Sequence, residues 1–139
     1  MVASCLRNAS AVGRWLARLG YGTAERPVLV IAAGERWPDG SLRPALEDLL
    51  GAGAIIAELE SRGAGPLSCE AAAARTCFAQ TADVTSAVAA CSSGIELARS
   101  GFADDVAIAT EFDASVTVPV LTDGAFDHGT DATASIPNP

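Results

Sequence analysis

Lysine is absent from this sequence, histidine occurs once, at His128, and aromatic residues make up only 5% of the chain. So small an aromatic share leaves a core to be built from Ala, Leu, Val and Ile. The lone His and four cysteines (Cys5, Cys69, Cys77 and Cys91) with no Cys-x-x-Cys pair argue against a zinc site. No run approaches the roughly 20 apolar residues a membrane helix needs. The first residues carry Arg7 and Asn8 where a signal peptide has its apolar centre. The expectation is a cytoplasmic protein with reduced cysteines and no membrane partner. Basic residues are also scarce, at 9 against 17 acidic ones, for a net charge of −8. That balance repels nucleic acid and anionic lipid. Any anionic substrate must therefore be held by a few Arg residues and a metal ion.

Half of the residues are hydrophobic and 19% are charged, enough apolar material for a globular fold. Met1–Cys5 reads as a short strand. Ala11, Val12, Trp15, Leu16 and Leu19 lie at helical spacing within Asn8–Leu19, and Gly20 is a stop signal. Pro27–Ala33 is short, apolar and β-branched, the pattern of a buried strand. A turn-rich stretch follows to Leu42. Pro44 then opens a helix running through Leu50, and Gly51-Ala52-Gly53 joins it to Ala54–Leu59. Ser68 is placed to cap a helix over Cys69–Gln80. Further helices are predicted over Asp83–Ala90, Ile95–Ser100 (capped by Ser92 or Ser93) and Ala103–Glu111. Val116–Leu121 reads as an edge strand because of Pro119. Residues 127–139 are polar and read as a flexible tail, so His128 is not assigned as a base. Short apolar strands alternating with helices imply an α/β fold, three-layer α/β/α, whose sheet is incomplete.

Several segments carry a resemblance. They are Leu6-Arg7-Asn8-Ala9 with Val12; Ala33-Gly34-Glu35-Arg36 with Asp39-Gly40-Ser41-Leu42-Arg43-Pro44-Ala45; Glu47-Asp48-Leu49-Leu50-Gly51-Ala52-Gly53-Ala54-Ile55-Ile56; Cys91-Ser92-Ser93-Gly94 with Gly101-Phe102 and Asp104-Asp105-Val106; and Val118-Pro119-Val120 through Asp123-Gly124-Ala125-Phe126. In this order they resemble the carboxy-terminal half of the 2-phosphosulfolactate phosphatases, with residues 1–126 as that portion of the domain. The resemblance implies Mg²⁺-dependent hydrolysis of 2-phosphosulfolactate, or a similar small phosphorylated acid, to 3-sulfolactate and phosphate. The best-known setting is coenzyme M biosynthesis. The family's amino-terminal half has no counterpart here. Ile95 stands where the family pattern has Arg, and Cys69 where Pro is usual.

The residue types suit that chemistry. Mg²⁺ takes hard oxygen ligands, one or two carboxylates plus waters and substrate phosphate. Glu35 follows the apolar strand at its carboxyl end, where α/β proteins bind ligands. It is a candidate for catalysis and for the metal, with Glu47 as a second ligand and Asp48 as a second catalytic carboxylate. Glu47 and Asp48 are adjacent on a helix, about 100° apart, and cannot readily share one ion. A helix first turn also favours acids through its dipole alone. Asp39 in Pro-Asp-Gly reads as a turn residue. Arg7 and Arg43 are candidate guanidinium clamps for phosphate or sulfonate, with Asn8 beside Arg7. Ser92 and Ser93 either meet the substrate or cap a helix. Cys69 and Arg75 have the spacing of a cysteine phosphatase, but the alanines between them favour a helix and no phosphate cradle forms. The competing reading is a non-catalytic remnant, or a module that binds anions or forms a homo-oligomer through exposed strand edges without turnover.

Overall fold

The computed structural model describes residues 1–129. A 3₁₀ turn at Leu6–Asn8 leads into α1, Ala9–Arg18. Of the predicted stripe, Ala11, Val12 and Trp15 are buried, joined by Ala9, while Leu16 and Leu19 are partly buried. The start of α1 is capped from far along the chain: the Asp113 carboxylate accepts the Ser10 N–H at 2.8 Å. Gly20, at φ 76°, closes the helix, its N–H donating to the Ala17 carbonyl at 2.9 Å.

The next elements are β1 (Glu35–Arg36), β2 (Leu42–Arg43) and α2 (Leu46–Ser61). β1 and β2 form an antiparallel hairpin across the Pro-Asp-Gly turn, with Glu35 opposite Arg43. α2 is the central helix and packs on both α1 and α3, Cys69–Gln80. It is continuous, so Gly51-Ala52-Gly53 is no join. The glycines stand in the helix because its neighbours come close. A Cβ on Gly53 would lie 2.3 Å from the Ala74 carbonyl oxygen of α3. Leu50, fully buried, anchors a core with Leu6, Ala9, Ala54, Ile55, Leu59 and Val88.

Ser68 caps α3 as predicted, its hydroxyl accepting the Ala71 N–H at 3.2 Å. Three short helices follow: α4 (Val84–Ala89), α5 (Ser92–Arg99) and α6 (Ala103–Ala109). Asp83 caps α4. α5 is capped by the Cys91 sulfur, which accepts the Gly94 N–H at 3.4 Å, rather than by Ser92 or Ser93. Because Cys91 is the cap, α5 begins three residues before the predicted Ile95.

β3 (Pro119–Thr122) and β4 (Ala125–His128) form a second antiparallel hairpin. Its turn places Asp123 and Gly124 at φ 51° and 83°, both positive as a two-residue hairpin of this kind requires. Asp127 and His128, read from sequence as the start of the tail, are therefore strand residues. The rest of that stretch, 130–139, lies outside the described residues. Met1–Cys5 contributes a single bridge, Val2 to Val120, rather than a strand.

The fold is mixed α/β, with six helices and two small sheets among the described residues, and the sheet is incomplete as expected. Pro27–Ala33 belongs to neither sheet. Val28 and Val30 pack on the core, but Leu29 and Ile31 are 86% and 72% exposed. The strand pattern is there without a neighbouring strand or a layer over its outer side, so the segment is not buried. No helix among the described residues is long and apolar enough to cross a membrane.

Candidate active site

The β1–β2 hairpin and the first turn of α2 bring several predicted residues together around Arg43. The hairpin register sets Glu35 across from it, and the Arg43 guanidinium lies 3.2 Å from the Glu35 carboxylate. Glu96, from α5, approaches the same nitrogen at 2.8 Å. The Arg43 guanidinium also lies over the Trp37 ring, 4.7 Å from its centre. Its side chain is only 15% exposed. The hydrogen bond that Arg43 donates to Glu96, and then the charges of Glu96, Glu35 and Glu47, raise the Arg43 pKa above its already high ordinary value. Arg43 is a permanent cation held in a fixed orientation.

Glu47 and Asp48 point to different partners, as their helical offset requires. Glu47 accepts a long hydrogen bond of 3.5 Å from the Cys91 thiol, linking α2 to the start of α5. Asp48 accepts the Gly34 N–H at 2.6 Å. Gly34 has φ 69°, and a Cβ there would come within 3.0 Å of the Leu42 side chain. Asp48 therefore fixes the entry of the hairpin. Asp39 is the turn residue expected, holding the Ser41 N–H at 2.9 Å.

Arg7 and Asn8 are engaged elsewhere. Arg7 pairs with Glu111 and donates to the Ile108 carbonyl at 2.6 Å, which ties the 3₁₀ turn to α6 and the residues after it. Asn8 is buried and spans two segments. Its Oδ1 accepts the Cys5 N–H at 2.8 Å and its Nδ2 donates to the Thr117 carbonyl at 3.0 Å. Both behave as structural pins. At the start of α5, Ser92 is exposed and Ser93 buried. Arg75 pairs with Glu60 and Cys69 opens α3, so the cysteine-phosphatase spacing holds no phosphate loop.

Sequence reasoning missed Glu96, Trp37 and the capping role of Cys91. Trp37 had a signal, being a large aromatic in an otherwise polar turn. Glu96 had a weaker one, as the neighbour of Ile95, where the family pattern has Arg.

Among the described residues no three His, Cys, Asp or Glu side chains gather as a metal cluster. An apolar cleft of about 620 Å³ lies beside Pro27–Ala32 and the flank of α2, and is lined by none of Glu35, Arg43, Glu47 or Asp48. That cleft lacks the convergent polar groups that orient an anion, whereas Glu35, Arg43 and Glu96 converge at the hairpin.

A family model described as 2-phosphosulpholactate phosphatase matches residues 1–124 of the 139. The chain belongs to the 2-phosphosulpholactate phosphatase family. The match takes in β1, β2, α2 and α5, the elements that assemble around Arg43. Comparison with curated proteins returned no match. At the level the family supports, the protein is a phosphatase-type phosphoric monoester hydrolase.

Proposed function

We propose that this chain hydrolyses 2-phosphosulfolactate, or a similar small phosphorylated acid, to 3-sulfolactate and inorganic phosphate. The reading rests on one observation above the rest: a single oriented guanidinium, Arg43, stands at the meeting point of the hairpin, α2 and α5 in a chain of net charge −8. A planar fork of N–H donors suits the oxygens of a tetrahedral anion. Glu35, across the hairpin, and the Trp37 ring hold that fork in place. Glu96 is 62% exposed and is the partner that an arriving phosphate displaces. Orientation of this kind lowers a barrier because the donor need not reorganise as charge shifts onto the phosphoryl oxygens.

The reading includes Mg²⁺. Its ligands in this reading are Glu35 and Glu47, since one or two carboxylates suffice for this ion. When bound it would neutralise charge on the phosphoryl oxygens. The reading also extends to a cytoplasmic setting, where the four free cysteines stay reduced.

One observation favours the alternative, an anion-binding module without turnover: Arg43 is already paired with two carboxylates. Phosphate release from 2-phosphosulfolactate, followed with and without Mg²⁺, separates the two. Magnesium-dependent release is the expected result. A folded chain that binds inorganic phosphate and releases none from the ester supports the alternative.

A further inference from the structure

Ala11, Arg14, Trp15 and Arg18 follow one another at helical spacing and share one face of α1. That face makes one wall of a cleft of about 410 Å³. Val116 and Val118, from the segment before β3, and His128, at the end of β4, make the other. The floor is apolar and closed, because Ala11, Trp15 and Val118 are buried in one cluster. The charged groups are all basic. Arg14 is half-buried, Arg18 and His128 are exposed, and no carboxylate among the described residues lines the cleft. Neither the β1–β2 hairpin nor α2 nor α5 contributes to it.

In a chain with 17 acidic residues a cation has many carboxylates to choose from, and Arg7, Arg43, Arg62 and Arg75 each pair with one. Arg14 forms no hydrogen bond or ion pair with any described residue. The helix dipole favours Arg18, in the last turn of α1, but not Arg14 one turn earlier. Like charges four residues apart on a helix repel each other. An anion between them turns that repulsion into attraction to a shared centre.

We propose that this cleft is a second anion site, taking inorganic phosphate or the phosphate group of a small ester. Two guanidiniums on one wall offer forked N–H donors to a tetrahedral oxyanion. The His128 ring adds an N–H from the opposite wall. The apolar floor of Ala11, Trp15 and Val118 suits the body of a small ester. The site stands apart from the Arg43 cluster and does not depend on turnover there.

The two tryptophans make the test local, since Trp15 lines this cleft and Trp37 lies against Arg43. In the full chain carrying Trp37→Phe, fluorescence comes from Trp15. Titration with inorganic phosphate at constant pH and ionic strength should change that emission saturably, and sodium chloride should not. Arg14→Gln, with an unchanged circular dichroism spectrum, should weaken the apparent affinity by about tenfold or more, as for loss of one charge-assisted hydrogen bond. Arg43→Ala in the same background should leave it unchanged. The single histidine gives a second readout in the parent chain: its ring C–H proton resonance should move as phosphate is added. No saturable change in either signal overturns the proposal. A response that Arg43→Ala abolishes and Arg14→Gln does not overturns it by placing the anion at the hairpin. An equal response to chloride overturns it by reducing the effect to ionic strength.

Discussion

Asp48 accepts the Gly34 N–H at 2.6 Å, and this bond fastens the first turn of the central helix to the hairpin that carries Glu35 and Arg43. The same carboxylate reads from sequence as a catalytic group. In the structure it also holds the backbone at Gly34. Gly34 sits at positive φ beside the Leu42 side chain, so the hairpin leaves the preceding segment at one angle only. Asp48 holds that angle.

Asp48→Ala should leave the Gly34 N–H without its acceptor and destabilise the chain by about 1–3 kcal/mol. Phosphate release should fall with it, because Arg43 loses its fixed place. Asp48→Asn keeps an acceptor oxygen and should restore most of both. Urea denaturation and the phosphate assay, run side by side on the two variants, check this. An Asp48→Asn protein that is stable but inactive would return the carboxylate to the chemistry.

Glu96→Gln should barely change stability, since the carboxylate is 62% exposed and such pairs contribute little. It should tighten the binding of inorganic phosphate by about two- to fivefold, the equivalent of losing one exposed charge that competes for Arg43. Isothermal titration at low salt reads the change, and added salt should shrink it.

Two glycines on α2 should respond with opposite signs to the same substitution. Gly53→Ala drives a methyl to 2.3 Å from the Ala74 carbonyl oxygen, a backbone atom that moves only if α3 moves. The expected loss is about 1–3 kcal/mol. At Gly51 the nearest atom to an added Cβ, the Leu6 amide nitrogen, is 4.0 Å away. Gly51→Ala should therefore gain up to about 1 kcal/mol of helix propensity. Thermal melts of both variants decide the point.

Acid should weaken the fold through identifiable groups. The Ser41 hydroxyl and then the Ser41 N–H lower the pKa of Asp39, and the Ser86 hydroxyl and then the Ser86 N–H lower that of Asp83. A carboxylate depressed in the folded state contributes stability above its unfolded pKa of about 3.9. It loses that contribution as pH falls through the lower folded value. Asp83→Asn should keep an acceptor for α4 yet flatten the decline in stability as pH falls below about 4. Denaturation midpoints measured down that range show the slope.

Much of the helical scaffold was legible in the sequence. The spacing of Val12, Trp15 and Leu19, and Ser68 ahead of an alanine run, announce α1 and α3 through local chemistry alone. The continuity of α2 was hidden, because Gly51 and Gly53 look like breakers until Ala74 is seen against Gly53. Asp123-Gly124 carried a hairpin signal, yet β4 needed β3 and its register to be placed. Pro27–Ala33 reads from sequence as a buried strand, yet it joins neither sheet and leaves Leu29 and Ile31 exposed, because no neighbouring strand lies beside it among the described residues. At the site, Glu35 and Arg43 came together because a short hairpin makes them neighbours. Arg7 did not join them, since its partner Glu111 lies 104 positions away and only tertiary contact brings them together. Glu96 escaped notice for the same reason: nothing local distinguishes it from other exposed charges.

The most direct test of the account is the rate of phosphate release from 2-phosphosulfolactate by the parent chain, Arg43→Ala and Glu35→Ala, each shown folded by circular dichroism. The account predicts turnover by the parent chain and a loss of about 100-fold or more in kcat/KM for Arg43→Ala, as for removal of an oriented charge-stabilising donor. Glu35→Ala should fall in the same direction. Parent-like turnover by Arg43→Ala, or no release by the folded parent chain, would contradict it.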